Sequence, residues 1–397
     1  MPLVAAEPRG ALVSCPVCGA TGASPLFRLD RVPALCNSLF DSAGDAGEVP
    51  LVDIDLVACP SCGLIWNRLF EATGIDYGAD YGNPLECSAI FREHRDRLVE
   101  RLARELALEG KTVLEVGCGD GAFLRALCRA TGADGVGVDP SCVPQVENRG
   151  PGTIRLIRGE YPLRSESIAA DLICCRHVLE HMPNPREFLE TLENDLAPHG
   201  RILIEVPNAE HMLEVCSIGD VIHEHCLYFA RFPLAALFES RGYRVELSEG
   251  FGRQFLVLAA ERIRSREEAR SAAPTPELIE ATSSFGARAK ERLRGWRQRV
   301  ADANRAGQHL AVWGIGSKGV TFLNLVNDGG RIAEAVDINP DKEGRFVPGT
   351  GHEVRSPRWL REHPVDTVLV MNQRYVGEVE AELRSLGVSC AVDGVLG

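Results

Sequence analysis

Long apolar runs are missing from this 397-residue chain, and without about eighteen consecutive apolar residues no membrane-spanning helix is expected. The opening residues also lack the charged-then-apolar layout of an export leader, so the expected compartment is the cytoplasm. Positive charge is scarce as well. Forty-three Lys and Arg stand against 56 Asp and Glu, a net charge of −13. That balance argues against loose binding to phosphate backbones or anionic membranes, which is driven by basic residues displacing counterions. Only a local basic groove would escape it. Aromatic residues make up 6% of the chain, few for a stacking surface.

What is present is an ordinary globular composition, 45% hydrophobic and 25% charged, long enough for two or three domains. Fourteen cysteines in a chain without an export signal point away from a disulfide framework, because cytosolic thiols stay reduced. Some of them are expected to hold metal.

Residues 1–80 have only short apolar runs and need a staple. Apolar Phe91, Leu98, Leu102 and Leu106 recur at helical spacing across 90–108, which predicts an amphipathic helix ending at Gly110. Short β-rich runs at 112–116, 135–138, 171–175, 201–206, 243–247 and 254–260 alternate with helical stretches and predict a doubly wound α/β sheet. Runs at 310–315, 332–337, 367–371 and 389–392 predict a second, smaller α/β unit. The expected division is 1–80, a zinc-binding domain; 81–262, the α/β core with its lead-in helix; 263–308, a polar helical connector; and 309–397, a C-terminal Rossmann-like domain.

Cys15-Pro-Val-Cys18-Gly and Cys59-Pro-Ser-Cys62-Gly are matching knuckles, each able to aim two thiolates at one point. Together they offer four tetrahedral sulfur ligands and no open position, the mark of a structural zinc site. Rubredoxin-like iron or bare thiols are the alternatives. Cys36 and Cys87 fall outside the pattern and read as buried apolar residues.

Glu115-Val-Gly117-Cys-Gly119-Asp-Gly121 follows the first core strand and opens a helix, glycines there letting the backbone approach a ligand closely. Asp139 ends the second strand, where a carboxylate can accept ribose hydroxyls. The turn 177–181, His-Val-Leu-Glu-His, follows the next core run. After Pro207-Asn208 comes His223-Glu224-His225. In an extended segment both histidines would face one side and Glu224 the other, so one His would react while the other supports. A local Glu224–Arg pair and an adventitious metal or polar cluster are the plainer readings.

This pattern resembles class I S-adenosylmethionine methyltransferases over roughly residues 111–260. The cysteine knuckles, the His-Glu-His segment, and the C-terminal Val312-Trp-Gly-Ile-Gly316-Ser-Lys318 and Val336-Asp-Ile-Asn-Pro340 extend the resemblance to the sugar-nucleotide C-methyltransferases. It implies S-adenosylmethionine as cofactor, contacted by Glu115, Gly117 and Gly119, with ribose at Asp139 and adenine near Glu160 and Tyr161. His177 would lie close to the cofactor. The implied acceptor is a nucleotide-linked keto-sugar, with dTDP as the expected nucleotide, deprotonated beside its ketone by His225. Glu224 would orient or relay, and His181 would donate to the sugar or enolate. Tyr81, or alternatively Tyr77, would lean over the substrate, and His223 would help to bind it. The family usually has tyrosine immediately before His-Glu-His, whereas this chain has Ile222; Tyr228 is the candidate to replace the missing phenol. Lys318 and the helix beginning near Ser317 suit a pyrophosphate, unless the glycine turn there serves only packing. A monomer or homodimer is expected, with neither nucleic acid nor membrane as partner. The competing readings are an O- or N-methyltransferase of a non-sugar molecule, a zinc-ribbon nucleic-acid methyltransferase, and a scaffold without chemistry.

Overall fold

The computed structural model describes residues 14–71, 85–148, 152–163, 167–263, 274–326 and 332–395. At its N-terminal end, β1 (Ser24–Pro33), β2 (Leu51–Ala58) and β3 (Ile65–Asn67) form an antiparallel sheet, with a short helix α1 (Ala43–Gly47) between the first two strands. Alternation of apolar and polar residues in β1 buries Phe27, Leu29 and Val32 and leaves the charged side chains outside.

Helix α2 (Ala89–Glu105) leads into the core and buries the predicted stripe Phe91, Leu98 and Leu102. It stops at Glu105 rather than Gly110, because Leu106 turns to extended backbone (φ −120°, ψ 129°). The core strands are β4 (Thr112–Val116), β5 (Asp134–Asp139), β6 (Gln145–Asn148), β7 (Thr153–Arg158), β8 (Ala170–Arg176), β9 (Leu196–Pro207), β10 (Leu227–Tyr228), β11 (Tyr243–Gly250) and β12 (Phe255–Arg262). Their helices are α3 (Ala122–Thr131), α4 (Pro185–Asn194), α5 (Ala209–Val215) and α6 (Arg231–Glu239). Eight of these strands form one sheet in the order β11-β12-β9-β8-β4-β5-β7-β6. Strands β7, β5, β4, β8 and β9 run parallel, and β12 enters antiparallel between β9 and β11. This is the class I methyltransferase topology, and its strand order reverses at β4, so the ligand crevice opens at the carboxyl ends of β4 and β8.

Strand β10 leaves that sheet. Leu227 and Tyr228 pair with Trp66 and Ile65 of β3, so the N-terminal sheet is completed by the core. Helix α7 (Pro276–Arg305) fills the connector and rests Phe285 edge-on against Phe27, with ring centroids 5.7 Å apart. Beyond it, β13 (Leu310–Trp313), α8 (Ser317–Val326), β14 (Glu334–Val336), β15 (Val354–Arg355), β16 (Thr367–Val370), α9 (Val376–Ser385) and β17 (Ala391–Gly394) form a five-stranded parallel sheet, ordered β15-β14-β13-β16-β17. Its own strand order reverses at β13.

Three polar contacts fasten this domain over the crevice of the core. Lys318 meets Asp220 at 2.8 Å, the side-chain amides of Gln254 and Asn372 exchange two hydrogen bonds (3.0 and 2.7 Å), and Glu378 accepts from the Ser88 hydroxyl and the Ala89 N–H at the start of α2. Among the described residues no helix is long and apolar enough to cross a membrane.

Candidate functional site

A cavity of about 2050 Å³ lies between the carboxyl ends of the core strands and the C-terminal domain. Pockets for one small molecule hold roughly 300–1,000 Å³, so this one has room for two ligands.

One half is the glycine turn. Gly117 (φ +72°) has no space for a side chain, since a Cβ would lie 2.2 Å from Val178. Gly119 (φ +52°) faces open space. Asp139 ties this turn to the end of β5: one carboxylate oxygen accepts from the Gly119 N–H at 2.8 Å, and the other from the Ser141 N–H and hydroxyl at 2.7 and 2.6 Å. Glu160 and Tyr161 line the same half; Glu160 is exposed, and the Tyr161 hydroxyl donates to Asp195 at 2.7 Å.

Glu115 ends β4 as a buried carboxyl in the cavity wall, and its Oε2 has no hydrogen-bond partner among the described residues. Burial pushes its pKa up to about 8, against the pull of Arg176. The turn thus offers what a nucleoside with a cationic end requires: backbone that can be approached closely, a carboxylate with acceptor capacity at the end of β5 and a buried carboxyl oxygen without a partner among the described residues. A cationic group placed beside Glu115 lowers its pKa, so binding of S-adenosylmethionine near pH 7 should release about one proton. Calorimetry in buffers of different ionisation enthalpy reads this directly. The buffer dependence should vanish in Glu115→Gln, and affinity in the parent should rise with pH up to about 8.

Below the turn is a buried charge network. The Glu205 carboxylate, fully buried on β9, accepts from Arg176 Nε and Nη2 (3.1 and 2.9 Å) and from His94 Nε2–H (2.9 Å), and lies 3.1 Å from His177 Nε2. His177 has backbone φ +56° and its ring stands edge-on to Phe255, centroids 4.6 Å apart. Burial opposes its charge, but Glu180 and Glu205 outweigh that and raise its pKa to about 9. Neither Glu205 nor His94 is an expectation of sequence reading. The signals were a charged residue inside the apolar run Ile202-Leu-Ile-Glu205-Val and a His on the buried face of α2, three residues from Phe91.

The other half of the cavity is where the predicted reacting groups stand. The backbone turns at His223 and Glu224 rather than running extended, and this separates the trio. His225 enters the cavity wall, whereas His223 is buried against Phe70, with ring centroids 5.2 Å apart. The Glu224 carboxylate turns to the N-terminal domain, where Oε2 accepts from the Cys36 N–H at 2.8 Å. Burial, opposed by the N–H groups of Cys36 and Asn37, pushes its pKa to about 7. His181 Nδ1–H donates to the Glu224 carbonyl at 2.8 Å, and its ring stands edge-on to His225 with centroids 4.9 Å apart. Burial and His181 hold His225 down at about 3 against the pull of Glu180 and Asp220, so its imidazole is neutral at pH 7.

Ile222 points out of the cavity, into an apolar cluster with Val312, Ile315 and Phe322 of the C-terminal domain. A phenol there would need a buried partner, at a cost of about 1–3 kcal/mol without one. The Tyr228 hydroxyl is tied back to the same residue, donating to the Ile222 carbonyl at 3.1 Å and accepting its N–H at 3.2 Å. Lys318 lines the cavity with its charge engaged by Asp220. Tyr77 and Tyr81 lie outside the described residues.

Far from the cavity, Cys15 Sγ lies 3.6 Å from Cys62 Sγ and Cys18 Sγ 3.4 Å from Cys59 Sγ, all four close enough to hold one metal ion. These separations are far beyond a disulfide's ~2.05 Å and near the ~3.8 Å edge of a tetrahedron of 2.3 Å Zn–S bonds. The Cys18 and Cys62 N–H groups point at the first sulfur of their own knuckles, at 3.5 and 3.4 Å. The donor set therefore fits zinc.

Residues 91–248 match the family described as a methyltransferase domain, and residues 260–389 match the C-methyltransferase C-terminal domain. Among curated proteins, the ubiquinone biosynthesis O-methyltransferase of Schizosaccharomyces pombe is 26% identical over 144 residues, 31% of this chain and 52% of that protein. The Acinetobacter baumannii (strain AYE) counterpart is 29% identical over 109 residues, 25% of this chain and 46% of that protein. The chain thus spans about half the length of the curated relatives it matches. Solved structures resemble part of it: a SAM-dependent methyltransferase from Aquifex aeolicus (18% identity, 45% of this chain and 98% of that one, TM-score 0.33) and magnesium protoporphyrin IX methyltransferase from Synechocystis PCC 6803 (18%, 47% and 91%, TM-score 0.35).

Proposed function

This enzyme is an S-adenosylmethionine-dependent methyltransferase that carries a C-methyltransferase C-terminal domain, and we propose that it methylates carbon in a nucleotide-linked keto-sugar. The observation that carries the reading is the pair of neutral imidazoles, His181 standing edge-on to His225, in the wall of a cavity large enough for donor and acceptor together. Bound at the glycine turn, S-adenosylmethionine supplies an electrophilic methyl on sulfur. Glu115, Gly117, Gly119 and Asp139 hold it there, with Glu160 and Tyr161 at the adenine end and His177 beneath. His225 would take the proton from the carbon beside the acceptor's ketone, and the C–H electron pair would move into an enolate that attacks the methyl; the S–CH3 bond breaks, its electron pair returns to sulfur, and S-adenosylhomocysteine leaves while the proton passes from His225 to solvent. The C-terminal domain closes the site against water, and the N-terminal end of α8 faces the acceptor's phosphates. The four-cysteine knot holds structural zinc.

The test follows proton exchange and methyl gain by mass spectrometry, in deuterium oxide, with dTDP-4-keto-6-deoxyhexoses as probes. Parent enzyme should exchange the α-proton and gain a methyl; His225→Asn should lose both by about 10³-fold, with S-adenosylmethionine affinity held. Exchange undiminished in His225→Asn removes the base assignment. The matched relatives are O-methyltransferases by name, which favours hydroxyl methylation as the second reading; methyl gain on oxygen without exchange would establish it.

A further inference from the structure

Deprotonating a carbon acid deposits a positive charge on a buried imidazole, and something in the wall must answer that charge. Glu224, the carboxylate adjacent to His225 in sequence, faces the other way, onto Cys36. Glu180 does not. It sits in the turn Leu179–His181, only 1% exposed, and its carboxylate lies within 4.8 Å of the nearest imidazole nitrogens of both His181 and His225. Neither of its oxygens has a hydrogen-bond partner among the described residues; His177 Nδ1, at 3.7 Å, is an ion-pair neighbour too distant for a hydrogen bond. A fully buried carboxylate left without donors is costly unless its charge is needed where it stands.

We propose that Glu180 is the positioning carboxylate of the base, holding the imidazole pair in place and stabilising the imidazolium formed when His225 accepts the substrate proton. This rests on the reading of His225 as that base. The groups facing the pair set the balance. Glu180 and Asp220 favour a proton on His225 and His177 opposes it, and Asp220 is itself held by Lys318 at 2.8 Å. Without Glu180 the pair would face the positive charge of His177 with its nearest carboxylate gone, and protonation would be opposed instead of assisted. Burial alone would raise the Glu180 carboxyl, yet the three imidazoles around it keep it below its ordinary value, so the charge is in place at neutral pH.

The experiment compares parent, Glu180→Gln, Glu180→Asp and His225→Asn holoenzymes, using the same dTDP-4-keto-6-deoxyhexose probes in deuterium oxide at pH 7. Glu180→Gln is isosteric. It is expected to slow α-proton exchange at saturating probe about tenfold to a hundredfold, as a weaker base requires, with KM for the probe within about threefold of the parent. Glu180→Asp should recover part of the rate, with S-adenosylmethionine affinity unchanged throughout. Exchange in Glu180→Gln at the parental rate, with His225→Asn inactive, overturns the assignment of Glu180 and leaves the base standing. Parental exchange in His225→Asn, or none in the parent, takes down the base and Glu180 with it. Metal analysis closes the remaining route: a second equivalent of divalent metal that departs in Glu180→Gln would make Glu180, His181 and His225 a metal centre and overturn the proposal.

Discussion

Replacing Cys15 by Ser should release the metal and open the N-terminal domain, with methyl transfer failing while S-adenosylmethionine still binds. Free energies of structural zinc binding reach roughly 10–16 kcal/mol in isolated zinc peptides, and the apolar cluster under β1–β3 is not theirs alone but is completed by Met212 of α5 and Phe285 of α7. The effect should travel, because the knot is built into the core. Val17, Trp66 and three of the knot cysteines, Cys15, Cys59 and Cys62, share an apolar cluster with Leu227 and Phe229. The Asn67 N–H donates to the Cys226 carbonyl at 2.9 Å, and Arg186 reaches the Val17 carbonyl at 2.6 Å. Cys226 follows His225 directly, so loosening β3 loosens the loop that carries the proposed base. The glycine turn and Asp139 are held to one another by their own hydrogen bond and are linked to the knot through the wider apolar cluster, which Val116 of β4 and Val138 of β5 share. Elemental analysis should find zinc near one equivalent in the parent and near none in Cys15→Ser, and limited proteolysis should cut within residues 14–71 first. A variant with full metal content and parental protease resistance would remove the knot assignment.

The parallel sheets were legible because their strands are buried on both faces and read as β-branched runs between glycine turns, as in 112–116 and 310–313. Strand β10 was not: two residues carry no periodicity, and only pairing with Trp66 and Ile65 makes them a strand. The site divides in the same way. Its glycines and Asp139 stand at strand ends that sequence order locates, whereas His225 stands in the loop before β10. The direction of a side chain within a turn is set by contacts distant in sequence, as Cys36 does for Glu224 across 188 residues. Hence an extended reading puts His223 and His225 on one side and Glu224 on the other, whereas the turn at 223–224 sends only His225 to the cavity. Glu180 carries no signal of its own in the turn 177–181 for the same reason: the convergence of His177, His181 and His225 upon it is a tertiary fact. Ile222 looked like a lost phenol, but it faces an apolar cluster in which isoleucine is the better fit.

Asp139→Ala should weaken S-adenosylmethionine binding by more than about 100-fold, the largest loss of affinity from any single substitution in the glycine-turn half. The carboxylate has about four acceptor sites, and three are occupied by the Gly119 N–H and by the N–H and hydroxyl of Ser141. A ligand hydroxyl can take the fourth, and a second one only if the Ser141 hydroxyl turns away. Removing the side chain therefore does two things at once. It takes away the ribose acceptor, and it strands the Gly119 N–H at the position where the turn must hold its left-handed backbone. A hydrogen bond to a charged acceptor is worth about 1.5–3 kcal/mol, so loss of the one to the ribose accounts for about tenfold to a hundredfold, and the cost of reordering the untied turn on binding carries the loss beyond that. Asp139→Asn keeps one oxygen and loses the charge, so it should fall between parent and Ala. Titration calorimetry with S-adenosylmethionine and with S-adenosylhomocysteine measures both variants, with zinc content as the control for the rest of the fold. Equal losses for the two ligands are expected, because Asp139 serves the nucleoside and not the sulfonium. An Asp139→Ala protein that binds both within about threefold of the parent would mean that the nucleoside lies elsewhere in the cavity, and the glycine turn would then be only the hinge between β4 and α3.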